Sequence, residues 1–341
     1  MAGRKYGLDL GSMHLKISHG GQGIVINEKN MIAIQRKKDM VAAGNQAYDM
    51  FERTPDTIRV WQPVSHGVIS DIQLQSRLTE AMLRKAGCVP GFIHNNSFYL
   101  AVPSDVTEVE KRAFFDLIGH SAFNTRRLHI IERPLAAAVG EHLPVKRNLG
   151  MMLVDMGAGA TEISILTADG VSVSRLLRMG GIDINEQICQ LVRQKHHLII
   201  GYKTAEYLKL EMGSAIPRNA RSLTVYGRDR ITGLPAGAEI SQQLIFDAMK
   251  PYLLQVIETI RELIEKVPPE MMRDILNNGI YFTGGSTLIA GLDKVMSSAL
   301  QVKVMMSAKP MESTVRGLTT IMDNPSEYKN MIFSLGSRAF E

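Results

Sequence analysis

Cysteine is almost absent from this chain, which has only Cys88 and Cys189 among its 341 residues. Two cysteines cannot build the disulfide framework of a small secreted domain or a cysteine-rich zinc site. The sequence also lacks the run of about 18 apolar residues that a membrane-spanning helix requires, and residues 1–5 contain no hydrophobic signal core. These absences lead us to expect a cytoplasmic protein.

Charge of either sign is spread rather than concentrated. The chain carries 39 lysines and arginines against 34 aspartates and glutamates, a formal net charge of +5. No single basic run marks a nucleic-acid surface, so we expect no nucleic-acid partner. Hydrophobic residues make up 45% of the chain and charged residues 21%, as in an ordinary globular protein. The length is enough for two domains with cores of their own.

A short apolar run that breaks into a glycine turn lies near the middle of the chain, at residues 153–161. Taken alone, this run predicts no more than an ordinary hairpin turn. Glycine, however, also lets a backbone approach a ligand closely, and the exposed N–H groups of such a turn form a concave anion site. Because an aspartate needs a cation between itself and a phosphate, Asp155 at the end of the run points to Mg²⁺ bound through water.

A second copy of this pattern opens the protein. Residues 6–17 again give a strand, an aspartate (Asp9), a glycine turn and a second strand. Asp9 and Asp155 are 146 residues apart, which is close to the usual size of one domain. Two related turns at that spacing predict a duplicated nucleotide-binding unit with a cleft between its halves.

Apolar periodicity predicts strands followed by helices in both halves. The first half is predicted to contain a meander over 6–35, an irregular subdomain over 40–75, a helix over 74–86, a strand over 96–103, a helix opened by a Thr107–Glu110 capping box, a strand over 128–132 and a helix from Pro134. The second half is predicted to contain strands over 151–177, helices over 184–195 and 204–212, a β-rich insert over 222–240, a helix over 245–267 and a strand over 280–283. This order is typical of an α/β architecture of two similar domains.

Two further stretches carry candidate chemistry. Glu206 and Lys209 share a helix face at i, i+3 spacing, which fits either a solvated ion pair or a ribose or adenine contact. Beside two phosphate turns, the second interpretation is favoured. A third close-approach turn is predicted at residues 283–287.

The loop Val89–Ile93 is apolar where loops are normally polar. Phe92 and Ile93, flanked by Arg84 and Lys85, could enter a membrane interface. They could equally fold back onto the domain, and the sequence leaves both alternatives open.

Several motifs together resemble a known superfamily. They are Asp9-Leu-Gly-Ser, Glu132-Arg-Pro-Leu-Ala-Ala-Ala, Val154-Asp-Met-Gly-Ala-Gly-Ala-Thr-Glu, Thr204-Ala-Glu-Tyr-Leu-Lys and Thr283-Gly-Gly-Ser. Their order is similar to that of the actin and sugar-kinase superfamily, and most similar to the bacterial actins of the MreB family, from Tyr6 to Asn324. The resemblance implies an α/β, actin-like ATPase fold of two RNase H-like domains with a nucleotide cleft between them. It assigns residues 1–145 and 146–341 to the two domains, with small subdomains at about 35–75 and 182–245 and a C-terminal segment packed back on the first domain.

The function that the resemblance implies is that of a membrane-associated cytoskeletal filament. Such proteins bind ATP and Mg²⁺, polymerise with themselves on the inner face of the cell membrane, and determine cell shape by organising cell-wall synthesis. Their expected partners are the inner membrane surface and the cell-wall elongation machinery, including RodZ-like adaptors. A non-hydrolysing scaffold of the same family and a small-molecule kinase of the superfamily remain as alternatives.

The resemblance also implies the site residues. The nucleotide contacts would be Asp9, Gly11, Ser12, Met13, His14, Lys16, Asp155, Gly157, Ala158, Gly159, Glu206, Lys209, Glu211, Gly284, Gly285, Ser286 and Thr287. Asp9 and Asp155 would hold the metal through water. The candidate catalytic residues are Arg133, Glu132, Thr161 and Glu162.

One departure from the family pattern bears on catalysis. Arg133 precedes Pro134 where the family places the glutamate that orients the attacking water. A guanidinium stays charged and cannot accept a proton, and Glu132 points to the opposite face of an extended segment. We therefore expect weak or absent ATP hydrolysis. The alternative is that Arg133 acts like an arginine finger while Glu132 or Glu162 positions water.

Overall fold

Two mixed β-sheets, each containing a hairpin with a carboxylate near its turn, form the framework of the chain. The computed structural model describes residues 4–36, 39–89, 96–119, 121, 123, 125–147, 149–217 and 221–336. None of the helices in these ranges is both long enough and apolar enough to cross a membrane. Phe92 and Ile93, the predicted membrane residues, lie outside the described residues.

The secondary structure alternates between strands and helices along the chain. The strands are β1 (Lys5–Leu10), β2 (His14–His19), β3 (Gly23–Lys29), β4 (Ile32–Gln35), β5 (Asp39–Ala43), β6 (Ile58–Trp61), β7 (Val64–Ser65), β8 (Val68–Ile69), β9 (Asn96–Val102), β10 (Thr125–Glu132), β11 (Met151–Met156), β12 (Thr161–Thr167), β13 (Gly170–Leu177), β14 (Leu198–Ile199), β15 (Ser222–Asp229), β16 (Pro235–Ser241), β17 (Ile280–Thr283), β18 (Val304–Met306) and β19 (Phe333–Gly336). The α-helices are α1 (Asn45–Met50), α2 (Ile72–Lys85), α3 (Glu108–Gly119), α4 (Arg133–Gly140), α5 (Gly181–His196), α6 (Tyr202–Met212), α7 (Gln242–Glu265), α8 (Pro269–Asn278), α9 (Leu292–Leu300) and α10 (Ser313–Asp323). Short 3₁₀-helices cover Gly285–Leu288 and Lys329–Met331.

The two large sheets share one plan. The first has the strand order β19-β10-β9-β1-β2-β3, in which β1, β2 and β3 form an antiparallel meander and β9 runs parallel to β1. The second has the order β13-β12-β11-β17-β18, again a meander followed by parallel strands. Strand β19 pairs with β10, so the last described strand joins the first sheet. Smaller sheets, β5-β4-β6 and β14-β15-β16, extend from the two halves.

The predicted meander over residues 6–35 ends earlier than expected, because β4 belongs to the small sheet. Asn30 is fully buried after β3. Its backbone N–H donates to the Met13 carbonyl at 2.9 Å and its side-chain amide donates to the Gly11 carbonyl at 2.8 Å. These bonds tie the chain to the first glycine turn and direct β4 away from the large sheet.

Helix starts follow their capping residues. Asp71 accepts a hydrogen bond from the Leu74 N–H at 2.9 Å, so α2 begins at Ile72, two residues before the predicted start. The predicted capping box is confirmed. The Thr107 N–H donates to the Glu110 carboxylate at 2.8 Å, and the Glu110 N–H donates to the Thr107 hydroxyl at 3.3 Å.

Helices α4 and α10 pack between the two large sheets, in a core that takes residues from both. Gly140 and Gly317 lie where the two helix backbones come closest. A Cβ atom at Gly140 would collide with the Ser313 carbonyl, and one at Gly317 with the Ala136 carbonyl. This close approach fixes α4, and therefore Arg133 at its first turn, at the junction of the two halves.

Candidate functional site

The two hairpin turns line a single cavity of about 410 Å³ between the halves. Helix α6 and the turn after β17 complete its walls. Most of the residues predicted from sequence are brought together there: Asp9, Gly11, Ser12, Met13, His14, Lys16, Arg133, Asp155, Gly157, Ala158, Gly159, Glu162, Glu206, Lys209, Gly284, Gly285 and Ser286. A volume of this size lies in the usual range for small-molecule sites.

Four predicted site residues do not line the cavity. The Thr161 hydroxyl donates to the Met179 carbonyl at 3.1 Å and lies 2.7 Å from the Tyr252 hydroxyl. The Thr287 hydroxyl donates to the Gly284 carbonyl at 2.7 Å. Glu211 lies 3.6 Å from a neighbouring guanidinium on the outer surface, and Glu132 ends β10 outside the lining. Their side chains are therefore occupied or directed elsewhere.

Each hairpin places a charged residue directly opposite its aspartate, seven positions later. In the first hairpin Asp9 pairs in register with Lys16, and the Lys16 ammonium lies 3.2 Å from the Asp9 carboxylate. In the second hairpin Asp155 pairs in register with Glu162, a residue of the same charge. Like charges on facing positions of a strand pair repel each other, so the second hairpin is electrostatically strained where the first is balanced.

Burial is the main cause of the raised pKa values in the second hairpin. Burial raises the pKa of Asp155 to about 6; the charge of Arg133 opposes this rise, and that of Asp9 adds to it. Burial likewise raises the pKa of Glu162 to about 7, again against Arg133. One Glu162 oxygen accepts a hydrogen bond from the Ser104 N–H at 2.6 Å. The other oxygen is buried and has no hydrogen-bond partner among the described residues, and Glu162 lines the cavity.

Among the neighbouring charged groups, Arg133 has the largest effect on the pKa values of these two carboxylates. Its guanidinium is buried, donates to the Leu10 carbonyl at 3.4 Å, and keeps a buried Nε without a partner in the described part of the chain. Buried polar atoms are normally hydrogen-bonded. The unpartnered atoms of Arg133 and Glu162 therefore mark a place where a polar ligand would complete the hydrogen bonding.

Two basic side chains that line the cavity have lowered pKa values. Burial lowers the pKa of Lys209 to about 8, and its ammonium donates to the Gly181 carbonyl at 2.7 Å. Burial and then the charges of Lys29 and Lys16 lower the pKa of His14 to about 4. Lys29 also lines the cavity and was missed from sequence, although it pairs with His14 between β2 and β3.

The turn after β17, which was predicted as a third close-approach turn, packs against the glycine turn of the second hairpin. Gly284 has a φ of 89°, and a Cβ atom there would collide with the Asp155 carboxylate and the Met156 carbonyl. The Ser286 hydroxyl donates to the Gly157 carbonyl at 2.9 Å. Beside this turn lie apolar side chains that sequence did not single out, namely Leu210, Leu288, Ile289 and Met311. A cavity lined both by polar turns and by apolar side chains suits a ligand with a charged part and a flat ring.

The carboxylates fit a hard divalent cation. Asp9 and Asp155 supply only oxygen ligands, which Mg²⁺ prefers, and Mg²⁺ is commonly held by one or two carboxylates together with phosphates and water. Within the described residues no cluster of three or more histidines, cysteines or acidic residues could hold a metal by itself. A cation here would therefore need further oxygens from a ligand or from water.

The fold and this cleft define an actin-like protein. Structures of MreB5 of Spiroplasma citri bound to ADP and to AMPPNP match with a TM-score of 0.88 and 29% sequence identity, covering 96% of this chain and 98% of theirs. The predicted actin-like fold is thus confirmed.

Sequence comparison also establishes the family to which this chain belongs. The model for the MreB/Mbl protein family matches residues 3–330, and the chain belongs to that family. The cell shape-determining protein Mbl of Bacillus cereus is 31% identical over 327 residues, covering 95% of this chain and 97% of its own. The cell shape-determining protein MreB of Escherichia coli is 32% identical over 323 residues, covering 91% and 90%.

The raised pKa of Glu162 has a consequence for stability. Because its pKa rises from 4.5 to about 7 on folding, its contribution to stability is present below pH 4.5 and is lost as pH rises through 7. Glu162→Gln removes this titration. The unfolding free energy of the variant minus that of the wild type should therefore increase by about 3 kcal/mol from pH 4.5 to 7.5.

Urea unfolding of nucleotide-free protein in EDTA measures this difference. The control is Val109→Ser, an exposed replacement that changes no titratable group and should leave the difference flat across the same pH range. A flat profile for Glu162→Gln would mean that the carboxyl is not held in a desolvated environment.

Proposed function

We propose that this protein binds Mg-ATP between Asp9 and Asp155 and assembles into filaments that contribute to bacterial cell shape. The observation that carries the proposal is the meeting of both carboxylate-and-glycine turns at one cavity, as their duplication in the sequence predicts. In this proposal the first domain covers residues 1–145 and the second covers residues 146–341.

The residues of the cavity have distinct roles in the proposal. The backbone N–H groups of residues 12–14 and 157–159 bind phosphate oxygens, as turns of this kind do. Lys16 and Arg133 add positive charge at the phosphate end, whereas Glu206 and Lys209 contact the sugar or the base. Mg²⁺, when bound, neutralises charge on the phosphates and on the two aspartates.

The names of the relatives support the cellular part of the proposal. The two curated relatives are described as cell shape-determining proteins, and the structural neighbour carries ADP or AMPPNP. The family match also favours a filament protein over a small-molecule kinase. We extend the proposal to filaments on the inner face of the cell membrane, where they would organise cell-wall synthesis with RodZ-like adaptors.

Hydrolysis is expected to be weak because Arg133 replaces the water-orienting carboxylate. An orienting or general-base group typically contributes 10²–10⁴-fold, or roughly 3–5 kcal/mol of barrier lowering. Among the remaining acids, Glu162 lines the cavity with an unpartnered oxygen and Glu132 does not. Any residual turnover would therefore use Glu162 rather than Glu132.

Phosphate release and electron microscopy of one purified sample test this proposal. The wild type should form filaments with Mg-ATP and release phosphate slowly. Arg133→Glu should increase phosphate release about tenfold or more, because it restores an acceptor for the water proton. Arg147→Glu, a charge reversal at an exposed arginine, is the control and should leave the rate unchanged.

Different results would contradict the role given to Arg133 and the role given to filament assembly. If Arg133→Glu and the uncharged Arg133→Gln both release phosphate more slowly than the wild type, the arginine is catalytic. If Mg-ATP produces no filaments from the wild type, the assembly role fails whatever the rate.

Membrane contact through the loop that contains Phe92 and Ile93 stays a sequence-based prediction. Replacing both residues by Ser should abolish pelleting with anionic liposomes and leave filaments intact, because the apolar insertion is lost. Val109 and Leu276 are exposed apolar residues elsewhere, and their double replacement by Ser is the matched control. Pelleting that survives in the first variant would show that another segment anchors the filaments.

A further inference from the structure

Helices α1 and α6 contact each other through Tyr48 and Glu206, although they belong to different halves of the molecule. Helix α1 packs on the small sheet β5-β4-β6 of the first half. Helix α6 packs on α5 and α7 of the second half and carries the cavity residues Glu206 and Lys209. Contacts between α1 and α6 therefore help to join the two halves next to the cavity residue Glu206.

The first contact joins Glu52, just after α1, to the beginning of α6. One Glu52 carboxylate oxygen accepts the Tyr202 N–H at 2.6 Å, and the other accepts the Lys203 N–H at 3.1 Å. These are amides of the first turn of α6, which have no partner inside the helix. A carboxylate at a helix N-terminus is also stabilised by the helix dipole.

The backbone of Glu52 is held in an uncommon conformation. Its φ is 62°, in the left-handed region that residues with a side chain rarely adopt. Such a conformation costs free energy and persists only where surrounding contacts maintain it. The two hydrogen bonds to α6 are the contacts of the Glu52 side chain that do so.

The second contact joins Tyr48 to Glu206. The Tyr48 hydroxyl donates to the Glu206 carboxylate at 2.6 Å, and burial together with this bond raises the pKa of Tyr48. The ammonium groups of Lys29 and Lys203 each lie 4.6 Å from the centre of the Tyr48 ring. Tyr48 is thus held by groups from both halves.

We propose that Tyr48 and Glu52 are positioning residues, forming with Tyr202, Lys203 and Glu206 a latch that holds α6 over the cavity and slows nucleotide release. This inference rests on the proposed nucleotide binding. Because a carboxylate accepts several hydrogen bonds, Glu206 can bind Tyr48 and a sugar hydroxyl together. The latch therefore fixes a nucleotide contact in place as well as keeping the halves closed.

Hydrogen exchange of the Tyr202 and Lys203 amides tests the latch without any nucleotide. In the wild type both amides should be protected, because Glu52 supplies their acceptors. In Glu52→Gly, which removes the carboxylate and suits the left-handed backbone, their exchange should approach that of unprotected amides. Wild-type amides that exchange freely would overturn the latch, whether or not nucleotide binds.

Release of a fluorescent ATP analogue, chased with unlabelled ATP in the presence of Mg²⁺, tests the functional consequence. Glu52→Gly should accelerate release roughly tenfold, as expected for losing hydrogen bonds to a charged group at an exposed site. Glu52→Gln keeps an acceptor oxygen and should show a smaller effect. Tyr48→Phe should also accelerate release.

Gln301→Gly is the matched control. Gln301 is exposed at the end of α9 with a φ of 54°, so the change relieves the same kind of backbone strain far from the cavity. Its release rate should equal that of the wild type.

The salt dependence of nucleotide release distinguishes a latch from a purely structural role of Glu52. Because Glu52 is exposed, salt should screen its charge, and added salt should accelerate release from the wild type by a larger factor than release from Glu52→Gly. If Glu52→Gly loses amide protection and yet releases nucleotide at the wild-type rate, the latch does not control release and the proposal fails. A wild type that binds no analogue but keeps its amide protection would contradict the proposed function and the release role, while leaving the contact itself established.

Discussion

Two buried carboxyls that face each other in the second hairpin, inside the cavity between the halves, are the constraint on which the site depends. Asp9 is neutralised by Lys16 on the facing strand, whereas Asp155 faces Glu162 and both rely on Arg133. Burial raises the pKa values of both carboxyls, and Arg133 only partly opposes this rise. A bound cation would shift these groups back towards the charged state, which couples metal binding to the protonation of the second hairpin.

The charge balance in the cavity depends on how the two halves pack together, because this packing positions Arg133. Arg133 begins α4, which is pressed against α10 at two glycines between the sheets. Its guanidinium reaches Leu10 beside the first aspartate and acts on Asp155 and Glu162 of the second half. At the other end of the cavity, α1 and α6 join the halves through Tyr48 and Glu52. A nucleotide between the halves would thus contact elements that are fixed at both ends.

Much of the framework could be predicted from local patterns, since strands, caps and glycine turns leave a signature over a few residues. The duplication of Asp9 and Asp155 predicted the cleft, and the Thr107–Glu110 box predicted the start of α3. The contacts that could not be predicted join residues that are far apart in the chain, and no periodic sequence pattern marks these residues. Asn30 redirects β4 through carbonyls of the first turn, and Glu52 meets α6 about 150 residues later. Neither contact has a local pattern, because each depends on where the folded halves come to lie.

The central claim is that Asp9 and Asp155 share one cation with a bound nucleotide, and a binding titration tests it most directly. Isothermal titration calorimetry with AMPPNP would compare wild type and Asp155→Asn, each in Mg²⁺ and in EDTA. The account predicts tight binding by the wild type in Mg²⁺, weaker binding in EDTA, and a loss of about tenfold or more for Asp155→Asn in Mg²⁺ alone. Equal affinity of the two proteins in Mg²⁺, or a wild-type affinity that does not change when Mg²⁺ is removed, would contradict it.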